Sequence, residues 1–220
     1  MKFFIDTANL DEIKQAKDMG ILSGVTTNPT IIAKEGKEFS KAVREISNLV
    51  GDGVYIFAEV TGLKADEMVK EGRGLVKMHK KFVVKVPMCA EGLKAVRALS
   101  DEGIDCCMTL CFSVPQALLA ANAGAAFVAP FVGRVDDIGW NGVQLVAEIA
   151  EIFAVQGIET QLVVASTRNP VHIVDIARAG AHIATVPPKV LFSLINHPLS
   201  KSGLDQFMKD WEELNKTLQK

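Results

Sequence analysis

The stretch CCMTLCFSVPQALLAANAGAAFVAPFVG, from Cys106 to Gly133, contains no charged residue. It is long enough to span a bilayer, but its interior argues otherwise. Pro115, Gln116, Asn122, Gly124 and Pro130 interrupt it. The pattern resolves into a strand over Cys106–Phe112, a helix over Gln116–Ala123, a turn, and a second strand over Ala126–Val132. Both strands are nearly continuous in hydrophobicity, as strands covered on both faces are.

The same unit recurs outward in both directions. Apolar runs precede it at Lys2–Asp6, Ser23–Thr27, Val54–Val60 and Phe82–Pro87, and follow it at Gln161–Ser166 and Ile183–Pro187. Helical spacing of apolar residues fills the intervals at Asp11–Lys17, Phe39–Val50, Ala65–Met78, Glu91–Leu99, Val143–Val155, Pro170–Ala179 and Lys189–Ile195. Gly20, Gly51, Gly103, Gly124, Gly157 and Gly180 stand where helices should stop, and Asn169-Pro170 reads as an N-cap followed by proline at the first helical position. Strand and helix alternating eight times predict an α/β chain whose parallel sheet closes into a (β/α)8 TIM barrel. An open doubly wound sheet is the competitor, but no GxGxxG follows the first strand. No linker divides residues 1–220, which reads as one domain. An extra amphipathic helix over 201–218 carries Leu204, Phe207, Met208, Trp211, Leu214 and Leu218 on one face. The residues alone leave open whether that face packs on its own barrel or on a neighbouring subunit.

Composition narrows the class further. The 220 residues are 49% hydrophobic and 23% charged, with a net charge of −2. Nothing there suggests nucleic acid or an anionic membrane as a partner. Asp6, Asp11 and Glu12 interrupt the opening apolar run, so it is no signal peptide. The cysteines, Cys89, Cys106, Cys107 and Cys111, form no CxxC and read as buried thiols in a reducing compartment, the cytoplasm. If the strand is regular, Cys107 and Cys111 share a face with Thr109. His79, His172, His182 and His197 show no zinc spacing, so neither a metal nor another cofactor is expected.

In such a barrel the chemistry sits at the C-terminal ends of the strands. Those ends carry Asp6, Thr26 with Asn28, Glu59, Lys85, Thr109 and Ser166, with Phe131 closing strand 6 and Arg134 and Arg168 following in loops. Lys85 is the sharpest. An ammonium inside Phe82-Val83-Val84-Lys85-Val86-Pro87 faces costly desolvation unless it is paired or gives up its proton, and the neutral amine makes Schiff bases. Asp6 and Glu59 suit general acid–base work; the plainer readings are an ion pair with Lys85 or a helix cap at Asp6. Arg134 and Arg168 suit a phosphate clamp, with Ser166 adding a hydroxyl; the plainer reading pairs them with Asp136, Asp137 or Asp175. Thr109 alone reads as a satisfied core threonine. Together, an amine, two carboxylates, a hydroxyl and two arginines describe imine chemistry on a phosphorylated carbonyl compound.

Three motifs carry a resemblance: Phe4-Ile5-Asp6-Thr7-Ala8-Asn9, Gly24-Val25-Thr26-Thr27-Asn28-Pro29-Thr30 and Val84-Lys85-Val86-Pro87. Ala129-Pro130-Phe131-Val132-Gly133-Arg134 and Ala165-Ser166-Thr167-Arg168-Asn169-Pro170 extend it. The sequence resembles the short-chain transaldolases and their relative, fructose-6-phosphate aldolase, along nearly its whole length. The resemblance implies that Lys85 attacks the C2 ketone of a ketose phosphate. Glu59 and a water held with Thr109 would then shuttle protons, and Asp6 would take the C4 hydroxyl proton. It implies Thr26 and Asn28 beside the dihydroxyacetone unit, and Arg134, Ser166 and Arg168 on the sugar phosphate. It implies a place in the pentose phosphate pathway and a homo-oligomer, a pentamer or decamer, with the last helix crossing to a neighbour. Glu59 and Phe131 match transaldolases, whereas the aldolase branch has glutamine and tyrosine there. Cys107 and Ala129 depart from the asparagine and serine usual in transaldolases, which keeps aldolase activity as the alternative.

Overall fold

Eight strands pair in parallel, in chain order, and the last returns to the first. This is seen in a computed structural model of the protein that describes residues 1–218; residues 219–220, the last two of the expected domain, lie outside the described residues. The strands are β1 (Lys2–Asp6), β2 (Gly24–Thr26), β3 (Tyr55–Glu59), β4 (Phe82–Pro87), β5 (Cys106–Cys111), β6 (Phe127–Pro130), β7 (Gln161–Val164) and β8 (Ile183–Val186). The (β/α)8 barrel expected from the alternating pattern is the fold observed.

Side chains alternate along each strand. Phe4, Phe57, Val83, Cys107, Phe127, Val163 and Ile183 point inward and fill the barrel. Phe57 packs edge-on against Phe127, with ring centroids 5.0 Å apart, and against Phe4 at 5.3 Å. Gly24, in register with Phe4, makes that filling possible, since a Cβ there would lie 2.6 Å from the Phe4 ring. The alternate set, including Ile5, Val25, Ile56, Val84, Val86, Met108, Val128 and Leu162, packs against the helical layer. Each such fully buried side chain contributes about 1.5–3 kcal/mol.

Between strands run α1 (Leu10–Asp18), α2 (Pro29–Lys34), α3 (Phe39–Val50), α4 (Ala65–Leu75), α5 (Ala90–Asp101), α6 (Val114–Asn122), α7 (Val132–Asp137), α8 (Gly142–Gln156) and α9 (Pro170–Arg178), and α10 (Pro188–Ser193) follows β8. Asn169 caps α9 by accepting from His172 N, with Pro170 at the first position. Gly157 ends α8 in the left-handed region at φ 64°. The expected helix over Ala65–Met78 tightens into a 3-10 turn at Val76–Met78. Two elements were not expected: α2, capped by Asn28, and α7, which begins inside the apolar run expected to be strand.

Regularity also fails in β5. Leu110 takes φ 57°, and the register with β6 shifts between Met108 and Cys111. Inserting a left-handed residue flips the side-chain alternation. Cys107 therefore points into the barrel, while Cys111 packs outside with Cys106 and Met108. Cys111 does not share the face of Cys107 and Thr109.

After the barrel comes α11 (Pro198–Leu218), one turn longer than the sequence predicts. Among the described residues it buries none, and Leu204, Phe207, Met208, Trp211, Leu214 and Leu218 are all exposed. No helix among the described residues is long and apolar enough to cross a membrane.

Candidate active site

A cavity of about 360 Å³ opens at the C-terminal ends of the strands. The alternation that fills the barrel below puts the next inward residue of every strand but β3 here. On β4, Val83 is followed inward by Lys85, which is 6% exposed. Its Nζ donates to the Thr27 carbonyl at 3.0 Å and lies 3.5 Å from Glu59 Oε2. Glu59 is its register partner on β3 and sits behind the amine without lining the cavity. A buried ammonium needs such partners, because desolvation disfavours its charge.

Asp6 ends β1 across the cavity. It accepts from Thr26 Oγ1 at 2.7 Å. Burial raises its pKa above the ordinary carboxylate value, opposed by the charge of Lys85 and the Thr26 hydrogen bond. It caps no helix, for Asn9 accepts from Asp11 N and Glu12 N at the start of α1. Thr109 is fully buried, and its Oγ1 has no hydrogen-bond partner among the described residues. The plain reading of Thr109 as a satisfied core threonine therefore fails. Asn28 lines the cavity while its Oδ1 caps α2 by accepting from Ile31 N at 2.9 Å, which leaves its amide N–H groups as donors.

The phosphate-clamp candidates come together on the opposite wall. Arg134, expected in a loop, stands in α7 with its guanidinium 4.9 Å from the Phe131 ring centre. Ser166 takes φ 62°, and its carbonyl accepts from Gly133 N at 3.1 Å. A Cβ at Gly133 would meet that carbonyl oxygen at 2.3 Å, so only glycine permits the approach. Arg168 reaches the cavity rim but donates to Asp137 Oδ2 at 2.7 Å, the surface pairing weighed from the sequence. Its main-chain N–H donates to His172 Nδ1 at 3.3 Å, and His172 in turn lies 3.2 Å from Asp136.

Of the ten residues predicted for the site, nine line one cavity and the tenth, Glu59, holds its lysine. Cys107 and Ala129 complete an apolar stretch of wall. Burial pushes the Cys107 thiol up to about 12, despite the nearby charge of Lys85, so it is no nucleophile at neutral pH. No group of three or more metal-ligating side chains occurs among the described residues. Sequence reasoning misses Thr185, which lines the cavity and touches Thr26. It also misses the supporting role of His172. The only signal for Thr185 is its parity: it lies two residues beyond inward-facing Ile183.

A buried amine flanked by carboxylates at the mouth of a closed barrel, with guanidinium groups opposite, defines a (β/α)8-barrel enzyme with its reactive groups at the strand ends. The chain belongs to the transaldolase/fructose-6-phosphate aldolase family: a family model described as "Transaldolase/Fructose-6-phosphate aldolase" matches residues 3–218. It is 58% identical over 212 residues to a "Probable transaldolase" of Clostridioides difficile, covering 96% of this chain and 97% of that one. It is 56% identical over 213 residues to "Probable transaldolase 1" of Bacillus cereus, covering 97% and 98%. A solved structure described as "Native KDPGal structure" matches with a TM-score of 0.60 at 17% identity, over 84% of this chain and 80% of that one, a likeness of fold.

Proposed function

We propose that the protein is a transaldolase that moves a dihydroxyacetone unit from a ketose phosphate to an aldose phosphate through a Schiff base on Lys85. The observation that carries this is Lys85 Nζ, buried at the cavity floor with Glu59 at 3.5 Å and with Asp6 close enough for their charges to interact. The neutral amine adds to the C2 carbonyl of fructose 6-phosphate or sedoheptulose 7-phosphate. Glu59, with a water held by the Thr109 hydroxyl, moves the protons that convert carbinolamine to imine and expel water. Asp6 takes the C4 hydroxyl proton as the C3–C4 bond breaks. The electrons flow into the imine, leaving a dihydroxyacetone enamine on Lys85 and releasing an aldose phosphate. The acceptor aldehyde then adds to the enamine, Asp6 returns the proton, and hydrolysis frees Lys85. Burial supports the role of Asp6, since a raised pKa makes its carboxylate a better base.

Thr26 and Asn28 flank the dihydroxyacetone unit, and Arg134, Ser166 and Arg168 hold the phosphate, with Arg168 exchanging or sharing Asp137. Phe131 keeps a hydroxyl away from the enamine, which favours transfer over protonation. One observation favours the second reading, a fructose-6-phosphate aldolase: Cys107 and Ala129 offer no strong hydrogen-bond donor to the bound unit. Release of glyceraldehyde 3-phosphate from fructose 6-phosphate, with and without erythrose 4-phosphate, decides. Release only with acceptor is expected. Equal release without it, with free dihydroxyacetone, makes the protein an aldolase.

The same reading places the enzyme in the pentose phosphate pathway, in the cytoplasm, with sugar phosphates as its small-molecule partners. It needs no cofactor. The exposed apolar face of α11, with Phe207 72% and Trp211 59% exposed, packs on a second copy in a homo-oligomer.

A further inference from the structure

Three side-chain oxygens are joined by two contacts across β1, β2 and β8. Thr26 Oγ1 on β2 lies 2.7 Å from Asp6 Oδ1 on β1, and it also touches Thr185 Oγ1 on β8. Thr26 and Thr185 are 2% and 3% exposed. Each threonine owns one proton, and an ionised carboxylate owns none. With Asp6 ionised, only one arrangement uses every contact: Thr26 donates to Asp6, and Thr185 donates to Thr26. With Asp6 protonated on Oδ1 the array can run the other way, from Asp6 through Thr26 to Thr185. The direction of the array is thus tied to the charge on Asp6. Packing does not require a hydroxyl at 185, because Ile183, Val163 and Val83 fill the same barrel interior as pure hydrocarbon.

We propose that Thr185 is a positioning residue for Asp6: by donating to Thr26 it fixes the Thr26 proton toward the carboxylate and favours the ionised, proton-accepting form. The proposal deepens the reading of Asp6 as the group that takes the C4 hydroxyl proton, and rests on it. A hydrogen bond to the charged form of an acid lowers its pKa, and a donor that itself accepts a hydrogen bond is strengthened. The charged and titratable groups near Asp6 are Lys85 on β4, Glu59 behind it on β3, Cys107 on β5, Arg134 on α7 and Arg168 after β7. Substituting Thr185 leaves all five in place, so its effect reports the hydroxyl array alone.

The test is Thr185→Val, which keeps the shape and deletes the donor, with Thr185→Ser restoring it and Thr185→Ala as a second deletion that cannot clash. The Asp6 carboxyl carbon is followed by 13C NMR titration, assigned by its loss in Asp6→Asn, beside the pH dependence of kcat/KM for fructose 6-phosphate cleavage. The expected result is a rise of about half a pH unit in the Asp6 titration and in the acid limb of the rate profile for valine and alanine. KM should stay within about twofold, and serine should return both curves to the wild-type position. Superimposable titrations of the wild type and either deletion overturn the proposal. So does a shift that serine fails to reverse. If the wild type cleaves no ketose phosphate, the transaldolase reading falls, while the carboxyl titration still decides the role of Thr185.

Discussion

Replacing Lys85 with methionine separates the catalytic reading from the structural one, because the two demand opposite outcomes. Methionine keeps the unbranched shape and removes the amine. On the structural side, the variant loses a hydrogen bond from Nζ to the Thr27 carbonyl, a charged donor worth about 1.5–3 kcal/mol. It also leaves Glu59 without its cation, although the Glu59 side chain keeps 16% of its exposure and can hydrate. Against these losses, no ammonium has to be desolvated, a relief of several kcal/mol. The net change is about 2 kcal/mol in either direction, which for a chain of this length moves Tm by less than about 8 °C. On the chemical side, deleting a covalent nucleophile costs about 10⁴- to 10⁶-fold in kcat. The assay is glyceraldehyde 3-phosphate release from fructose 6-phosphate with erythrose 4-phosphate, beside a thermal melt. Borohydride added with fructose 6-phosphate should leave a mass increase on the Lys85 peptide of the wild type and none on the variant. A folded variant retaining more than about 1% of wild-type activity refutes Lys85 as the nucleophile. A Tm that collapses well beyond the stated window makes Lys85 a structural ion pair instead.

Asp6→Asn should lower kcat by about 10²- to 10⁴-fold and at the same time stabilise the fold at neutral pH. Burial raises the folded-state pKa of Asp6, so its contribution favours folding below the ordinary value of 3.8 and is lost as pH rises through the raised value. Chemical denaturation should therefore show an advantage for asparagine at pH 7 that vanishes below about 3.8; a variant less stable at pH 7 contradicts the sign. Gly24→Ala forces a methyl to within 2.6 Å of the Phe4 ring and should cost about 1–3 kcal/mol by overpacking, seen as a lower Tm; an unchanged melt would mean that Phe4 is not fixed as described. Deleting Lys201–Lys220 should reduce the assembly to single chains by light scattering, and an unchanged assembly size would show that α11 covers no second copy.

How much of this was legible in the sequence depended on which physical signal each residue relied on. Phe82–Pro87 and Phe39–Val50 have the same bounds in sequence and structure, because the nearly continuous apolar run of the one and the helical spacing of the other are strong. Lys85 was legible because a lysine in such a run contradicts the environment that the run defines. The helices α2 and α7 span under two turns, which gives a period of 3.6 little room to register, and α7 also starts inside an apolar run that reads as strand. Asn28-Pro29 nevertheless shows the same cap signal as Asn169-Pro170. The end of β6 was illegible for a related reason: Ala126–Val132 stays apolar while the backbone turns from strand into α7, which carries Arg134 out of the expected loop. Thr185 escaped because threonine is an ordinary strand residue, and its partner Thr26 lies 159 positions away in the chain. The tie between Arg168 and Asp137 joins residues 31 positions apart and depends on the late loops folding together.

The positions where the regular pattern breaks explain why the site survives on a generic barrel. Among the described residues, the only non-glycine residues with positive φ are Leu110 and Ser166, and both adjoin the cavity. Each such conformation costs about 1–3 kcal/mol and persists only where its surroundings enforce it. At Leu110 the enforcement comes from both sides: inward-facing Cys107 and Thr109 precede it, and outward-packed Cys111 follows. Thr109 keeps the inward parity of Cys107 and lines the cavity with Lys85, and the break after it turns Cys111 under the helices. At Ser166 it comes from Gly133, whose N–H holds the serine carbonyl and whose missing Cβ allows the contact. That contact ties α7, with Arg134, to the segment carrying Ser166 and Arg168. A barrel selected for stability alone has no use for either distortion. The Leu110 break leaves Thr109 on the inward face and turns Cys111 under the helices, and the Ser166 break brings the segments of the two guanidinium groups together, so both distortions border the cavity in which the proposed imine chemistry and phosphate binding would take place.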